Sequence, residues 1–218
     1  MDGDGATAIL ARLLRLARWL DRPSVLFGRI AAWLLLPMIA IISFDVVGRK
    51  YVRHLDVIVD NDLHQYINSP KLQDSEWHFS AALIVLALGY AFSRNIQIRL
   101  DIIRHRLSAR RKIWIELAGT MVLLPFLGVL LYFAGDFVHA SWSSGEQSAF
   151  LTGLSHRWLI KAVLLLGLST LALAALSLAL RCAVWLFGPA ALRPQCDLDH
   201  LTQAPATTLD AGSMAQSS

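Results

Sequence analysis

Charge is what this sequence has least of. Lys, Arg, Asp and Glu supply 17% of its 218 residues, whereas 56% are hydrophobic, with a mean hydropathy of +0.51. So little charge does not cover the surface of an ordinary soluble domain, which leaves an integral membrane protein as the expected class. Cysteine is nearly absent: Cys182 and Cys196 are the only two, both in or near a stretch assigned below to the cytoplasm, so no structural disulfide is expected. The signatures of chemistry are missing as well. There is no P-loop, no H-E-x-x-H, no G-x-S-x-G and no glycine-rich dinucleotide turn. Ser43, Ser80, Ser169 and Ser177 have no base beside them in sequence, which points to interfacial packing or local hydrogen bonding rather than nucleophilic catalysis. Neither an enzyme nor a bound cofactor or metal is expected.

What is present is four apolar runs, at 26–47, 77–92, 113–138 and 158–187. About 20 helical residues cross the roughly 30 Å hydrocarbon layer, so each run is long enough for a span, the second only with Glu76 and Arg94 reaching toward the interfaces from its ends. Backbone polar groups must be paired in lipid, and the runs lack the alternation of a barrel strand, so the spans are helices. Basic residues fix the orientation. Arg12, Arg15, Arg18, Arg22, Arg181, Arg193 and seven Lys or Arg in the 94–112 connector fall on one side. Arg49, Lys50, Arg53, Lys71 and Arg157 fall on the other, diluted by Asp56, Asp60, Asp62 and Asp74. The richer side is cytoplasmic, which puts both termini there and makes the connector a topological anchor that also favours anionic membrane lipids. A nucleic-acid partner is not expected, because the connector lacks stacking aromatics and is flanked by membrane helices.

Between residues 7 and 22, Ile9, Leu10, Leu13, Leu14, Ala17 and Leu20 share one helical face and Arg15, Arg18 and Arg22 the opposite one, the pattern of an amphipathic helix lying in the interface plane. The tail is rich in Ala, Thr, Gln, Ser and Pro and reads as disordered. The expected organisation is thus an all-α integral membrane protein: a cytoplasmic amphipathic segment at 1–24, a four-helix membrane domain at 25–187, and a disordered cytoplasmic tail at 188–218.

Ionisable residues gather at the outer ends of the spans. Asp45 and Arg49 close the first helix; Glu76 and His78 open the second; Asp136 and His139 close the third; Arg157 and Lys161 open the fourth. Charges at that depth turn toward protein or water, so Asp45, Arg49, Glu76, Asp136, Arg157 and Lys161 are candidates for ion pairs between helices or to another subunit. A bis-histidine membrane cytochrome would have only His78 and His139 to offer as axial ligands. An independent small transporter would need polar groups near the bilayer midplane, and the helix centres carry almost none. Four largely apolar helices without a pathway read as a scaffold.

Three segments carry a family resemblance: FDVVGRKYV at the end of the first helix, SEWHFSAALIVLALGYAFSRNIQIRLDI through the second and its connector, and SWSSGEQS after the third. In order and spacing, over roughly 25–187, the chain resembles the small membrane subunit, the Q component, of the tripartite ATP-independent periplasmic (TRAP) transporters. The connector matches the family's basic Ile-Arg-Val-Asp segment with Gln97, Ile98, Arg99, Leu100 and Asp101; Gln97 replaces a common histidine, and Ser155 replaces a common proline before the last helix. The long outer loop at 52–75, with DSEWHF and HRWLIKA, resembles an extended subtype associated with uptake of 2-oxo acids, mannitol or chloroaromatics. The resemblance implies a bacterial inner-membrane protein working with a large membrane subunit and a periplasmic solute-binding protein in sodium-driven uptake of an organic acid. The small subunit would brace the static part of the large one and would not itself bind solute.

Overall fold

The computed structural model describes residues 3–51, 70–96, 107–146 and 156–198. Four helices account for most of them: α1 (Gly3–Tyr51), α2 (Pro70–Ser93), α3 (Ala109–Ser143) and α4 (Trp158–Phe187), followed by a 3-10 turn at Ala190–Cys196. Each expected span lies inside one of these, and all four helices are long and apolar enough to cross a membrane. The first three helices overrun their apolar runs because hydropathy marks only the lipid-crossing portion. α2 begins at Pro70, a residue suited to a first helical turn, and carries its polar Gln73, Asp74 and Glu76 ahead of the apolar stretch.

α1 is the largest departure from expectation. Its 49 residues form one helix through Pro23 and Pro37, so the amphipathic segment at 7–22 is the first part of α1 rather than a separate element. A helix of that length extends about 73 Å, more than twice the hydrocarbon thickness. The reason for its continuity is a single buried stripe, with Leu14, Ala17, Leu20, Ser24, Gly28, Ala31, Asp45 and Gly48 inside and Leu34, Met38 and Ile41 half-buried between them. Steps of three and four are the seam spacing of helices packed at a shallow angle, and the seam crosses the boundary at 24 without a break.

α4 is the hub, packing against α1, α2 and α3, while α1 also packs on α2. α2 and α4 run parallel and α1 runs against both. Small residues allow the close crossings, as at helix contacts in membranes generally. A Cβ on Gly167 would overlap Val85 Cγ1 and lie 2.6 Å from the Val85 carbonyl oxygen; one on Gly89 would lie 2.7 Å from Thr170 Oγ1. Two hydroxyls lock α1 to α4. Ser24 Oγ donates to the Thr170 carbonyl (2.9 Å) and Ser177 Oγ donates to the Ala17 carbonyl (2.8 Å). Residues 10–24 therefore travel along the C-terminal half of α4. At the end of that contact Leu14, Ile113, Ala179, Cys182 and Val184 form a buried cluster. Cys196 and Leu198 complete it, so the expectation of disorder from 188 onward does not describe 190–198. Gly188 caps α4 and Pro189 follows it, so the α-helix does not continue and the apolar side chains fold back. Both cysteines are free and buried.

α3 is different. It packs on α4 and turns a broad apolar face outward, with Val122 73%, Tyr132 67% and Phe133 62% exposed. A face so apolar suits lipid or another protein, not water.

Candidate functional site: charge clusters at the two ends of the helices

The outer cluster is built by the end of α3. Gly145 adopts φ +60, and its N–H donates to the Trp142 carbonyl while that of Glu146 donates to the Ser141 carbonyl (both 3.2 Å). These paired bonds are how a glycine in the left-handed region closes a helix. The turn folds the Glu146 carboxylate back onto its own helix, where it accepts from Ser141 Oγ (2.7 Å), and toward α4, where it accepts from Lys161 Nζ. Arg157 Nη1 lies 4.0 Å from the second carboxylate oxygen. Lys161 is also 3.7 Å above the Phe137 ring, a cation–π contact, and Trp142 meets Trp158 edge to face at 4.5 Å. Hydrogen bonds from Lys161 and Ser141 hold the Glu146 carboxyl below its ordinary pKa.

The inner cluster centres on Arg181. Its Nη2 pairs with Asp21 of α1, and its Nη1 lies 3.6 Å from Asp197 beyond the 3-10 turn. Helical side chains lean toward the N-terminus, which lets the Arg181 guanidinium reach back along α4 to the level of Asp21. One cation thereby ties the first helix, the last helix and the segment after it. Burial raises the pKa of the neighbouring Cys196 thiol.

Between the two clusters, four buried hydroxyls among the described residues are bonded to backbone. Ser24, Thr120, Thr170 and Ser177 are buried polar side chains within the spans, and each hydroxyl donates to a backbone carbonyl. Satisfied hydroxyls pin helices; they do not line a route for solute or ions.

Of the residues singled out from sequence, the structure brings Arg157 and Lys161 together around Glu146. Asp45 is buried on the α1 stripe, 4% exposed, Glu76 is half-buried on α2, and Asp136 lies on the exposed face of α3. The Arg49 side chain and the connector residues Arg99 and Asp101 lie outside the described residues. His78 lies on α2 with Nδ1 2.5 Å from the Asp74 carbonyl oxygen, whereas His139 is exposed on α3. Sequence reasoning did not single out Glu146, Asp21 or Arg181 as paired. The Gly-Glu within SWSSGEQS was the available signal for the first; the Asp21–Arg181 pair spans 160 residues and leaves no local trace.

Residues 38–184, more than half of the chain, match the family model described as tripartite ATP-independent periplasmic transporters, DctQ component. No curated protein and no solved structure matches the chain.

Proposed function

The chain belongs to the DctQ component family of the tripartite ATP-independent periplasmic transporters, and from that membership we propose that it braces the large membrane subunit during sodium-coupled uptake of an organic acid delivered by a periplasmic binding protein. The observation that carries the bracing role is the contrast between bonded interior hydroxyls and an open flank. The buried hydroxyls of Ser24, Thr120, Thr170 and Ser177 are bonded to backbone, while α3 presents a wide apolar face with Asp136 at its outer end. That face, with Asp136, is the surface we assign to the large subunit. The Glu146 cluster keeps α3 fixed to α4 behind it. Both termini and the 94–112 connector, including Arg99 and Asp101, lie on the cytoplasmic side of the bacterial inner membrane, and 7–22 packs along the C-terminal half of α4 toward that side with Arg12, Arg15, Arg18 and Arg22 turned away from the bundle.

Co-expression decides the assignment. Labelled organic acid should accumulate only when the chain is made together with its large subunit and binding protein, and should require a sodium gradient. Uptake by the chain alone would overturn the scaffold reading. Orientation is read separately: in intact cells a cysteine replacing Ser144 should react with an impermeant thiol reagent and one replacing Ser108 should not. Cys182 and Cys196 are buried, so the background is low.

A further inference from the structure

One cation has no place in the membrane map: Arg29 lies inside the run expected to span at 26–47. It continues a row. Arg15, Arg18, Arg22 and Arg29 recur at steps of three, four and seven, which puts them on one side of α1 over about 21 Å, and all four are exposed. Trp19, Leu26 and Trp33 recur at steps of seven along the adjoining strip, 61%, 57% and 73% exposed. Asp21, the acid within the length of the row, pairs with Arg181, which also meets Asp197. Glu116, the other described acid toward that end, belongs to α3, and the side chains of Asp2, Asp4 and Asp101 lie outside the described residues. Asp4 is 11 residues before Arg15, about 16 Å along the helix, and Asp101 shares its connector with seven Lys or Arg. No ion pair, hydrogen bond or ring contact among the described residues involves the four arginines.

Helix contacts fix the depth of the row. Ser24 and Ala17, seven residues apart on α1, bond to Thr170 and Ser177, seven apart on α4, so the two helices run antiparallel in step. Arg22 therefore sits level with Ala172, at the middle of α4, and Arg29 level with Leu165. On α3, Phe137 meets Lys161 and Trp114 meets Phe187, which sets the exposed Val122, Phe126 and Val129 level with residues 16–24 of α1. Whether lipid or a membrane subunit covers that apolar face, it marks hydrocarbon depth. A flat layer centred there puts Arg22 in its middle, where an unpaired cation is costly and a side chain reaching back one turn does not leave a layer roughly 30 Å thick. A layer shifted outward to begin beyond Arg29 leaves Val122 and Phe126 outside it.

We propose that the arginine row of α1 binds the headgroups of anionic phospholipids from the leaflet on the Arg181 side and draws them up this flank, so that the hydrocarbon layer is thinner beside α1 than beside α3. The two rows select this occupant. Hydrocarbon alone strands the arginines and water alone strands Trp19, Leu26 and Trp33, whereas the headgroup layer offers phosphates together with the setting indoles prefer. α1 continues through Pro23 with its buried stripe unbroken past 24, so the row cannot bend away from the bundle to reach a distant interface. Lipid comes to it instead.

The full-length chain, reconstituted in mixed phosphatidylcholine and phosphatidylglycerol vesicles, tests this with a bimane on a cysteine replacing Leu26 or Val129, two exposed positions at nearly the same level. Cys182 and Cys196 are buried, so background labelling is low. Either lipid carries a doxyl quencher near its headgroup or near its chain end. At Leu26, quenching should be stronger from the headgroup end and about fivefold stronger from phosphatidylglycerol than from phosphatidylcholine, the preference one arginine near an anionic surface provides. At Val129 it should be stronger from the chain end and equal for the two lipids. Replacing Arg15, Arg18, Arg22 and Arg29 with glutamine should bring the Leu26 ratio to about one, and replacing them with lysine should keep it. Matching depth profiles at the two positions overturn the proposal. So does quenching of Leu26 by aqueous iodide and by neither lipid, which marks a face in open water, and so does loss of its lipid quenching when the large subunit is reconstituted with it, since that protein is then the occupant.

Discussion

The Glu146 cluster and the Arg181 cluster are made of the same parts, one hub bridging two opposite charges, yet they do different work because of the chain between them. Glu146 and Lys161 are 15 residues apart and join neighbouring helices; Arg181 and Asp21 are 160 apart and join the first helix to the last. Closing the longer loop costs a flexible chain about 2 kcal/mol more. The inner contact accordingly has support that the outer one lacks: two hydroxyl bonds between α1 and α4, and the buried cluster from Leu14 to Leu198. The hub of the outer cluster is the wetter of the two, with a third of the Glu146 side chain exposed against 14% for Arg181, although Lys161 at 12% is as dry as Arg181.

The sharpest way to break this contrast is Arg181→Met. It strands Asp21 among packed helices, and removing one member of a buried pair typically costs about 3 to 5 kcal/mol, with the lower end expected here because both side chains keep some exposure. Thermal melting of the purified chain should show the loss, and adding Asp21→Asn should restore part of it. A smaller loss is expected from Lys161→Met, which frees α3 from α4 at one end while Arg157 and Ser141 still hold Glu146. Raising salt should shrink the Lys161 effect more than the Arg181 effect, since Glu146 is a third exposed and Asp21 is 18% exposed. Equal salt sensitivity in the two variants would erase the distinction.

The smallest effect concerns acid. Glu146 is held below its ordinary pKa in the folded chain, so its contribution is complete at neutral pH, above the unfolded value, and disappears as pH falls through the lowered one. Stability should therefore decline in acid by an amount that Glu146→Gln removes. An identical acid profile in that variant would assign the decline to other carboxylates.

The parts of this molecule visible in the sequence are those written locally. Apolar runs marked all four helices, and the last expected run coincides with α4. Arg157 and Lys161 stood out because a spacing of four puts them on one face. Ser169 is bonded locally, to the Leu165 carbonyl (2.7 Å), as its setting suggested. Ser177, of the same residue type in a similar apolar setting, bonds instead to Ala17, and nothing near it in sequence distinguishes the two. Arg181 likewise read as one more interfacial cation, because its partner is fixed by how α1 lies along α4. The extent of α1 was hidden for another reason: hydropathy changes at 24, but the 3–4 stripe does not.

The pairing of the first helix with the last also orders events during synthesis. When residues 10–24 leave the ribosome, the carbonyl that Ser24 bonds, the guanidinium that Asp21 meets and the Cys196 and Leu198 side chains do not yet exist. At 5 to 20 residues per second, the 160 residues separating Asp21 from Arg181 amount to roughly 8 to 30 s. During that interval α1 has α2 as its available partner, and its N-terminal turns, with their buried-stripe leucines, must be sheltered by lipid or by chaperone. The buried cluster at the inner end closes only when Cys196 and Leu198 arrive, after the rest of α4 has already met α1.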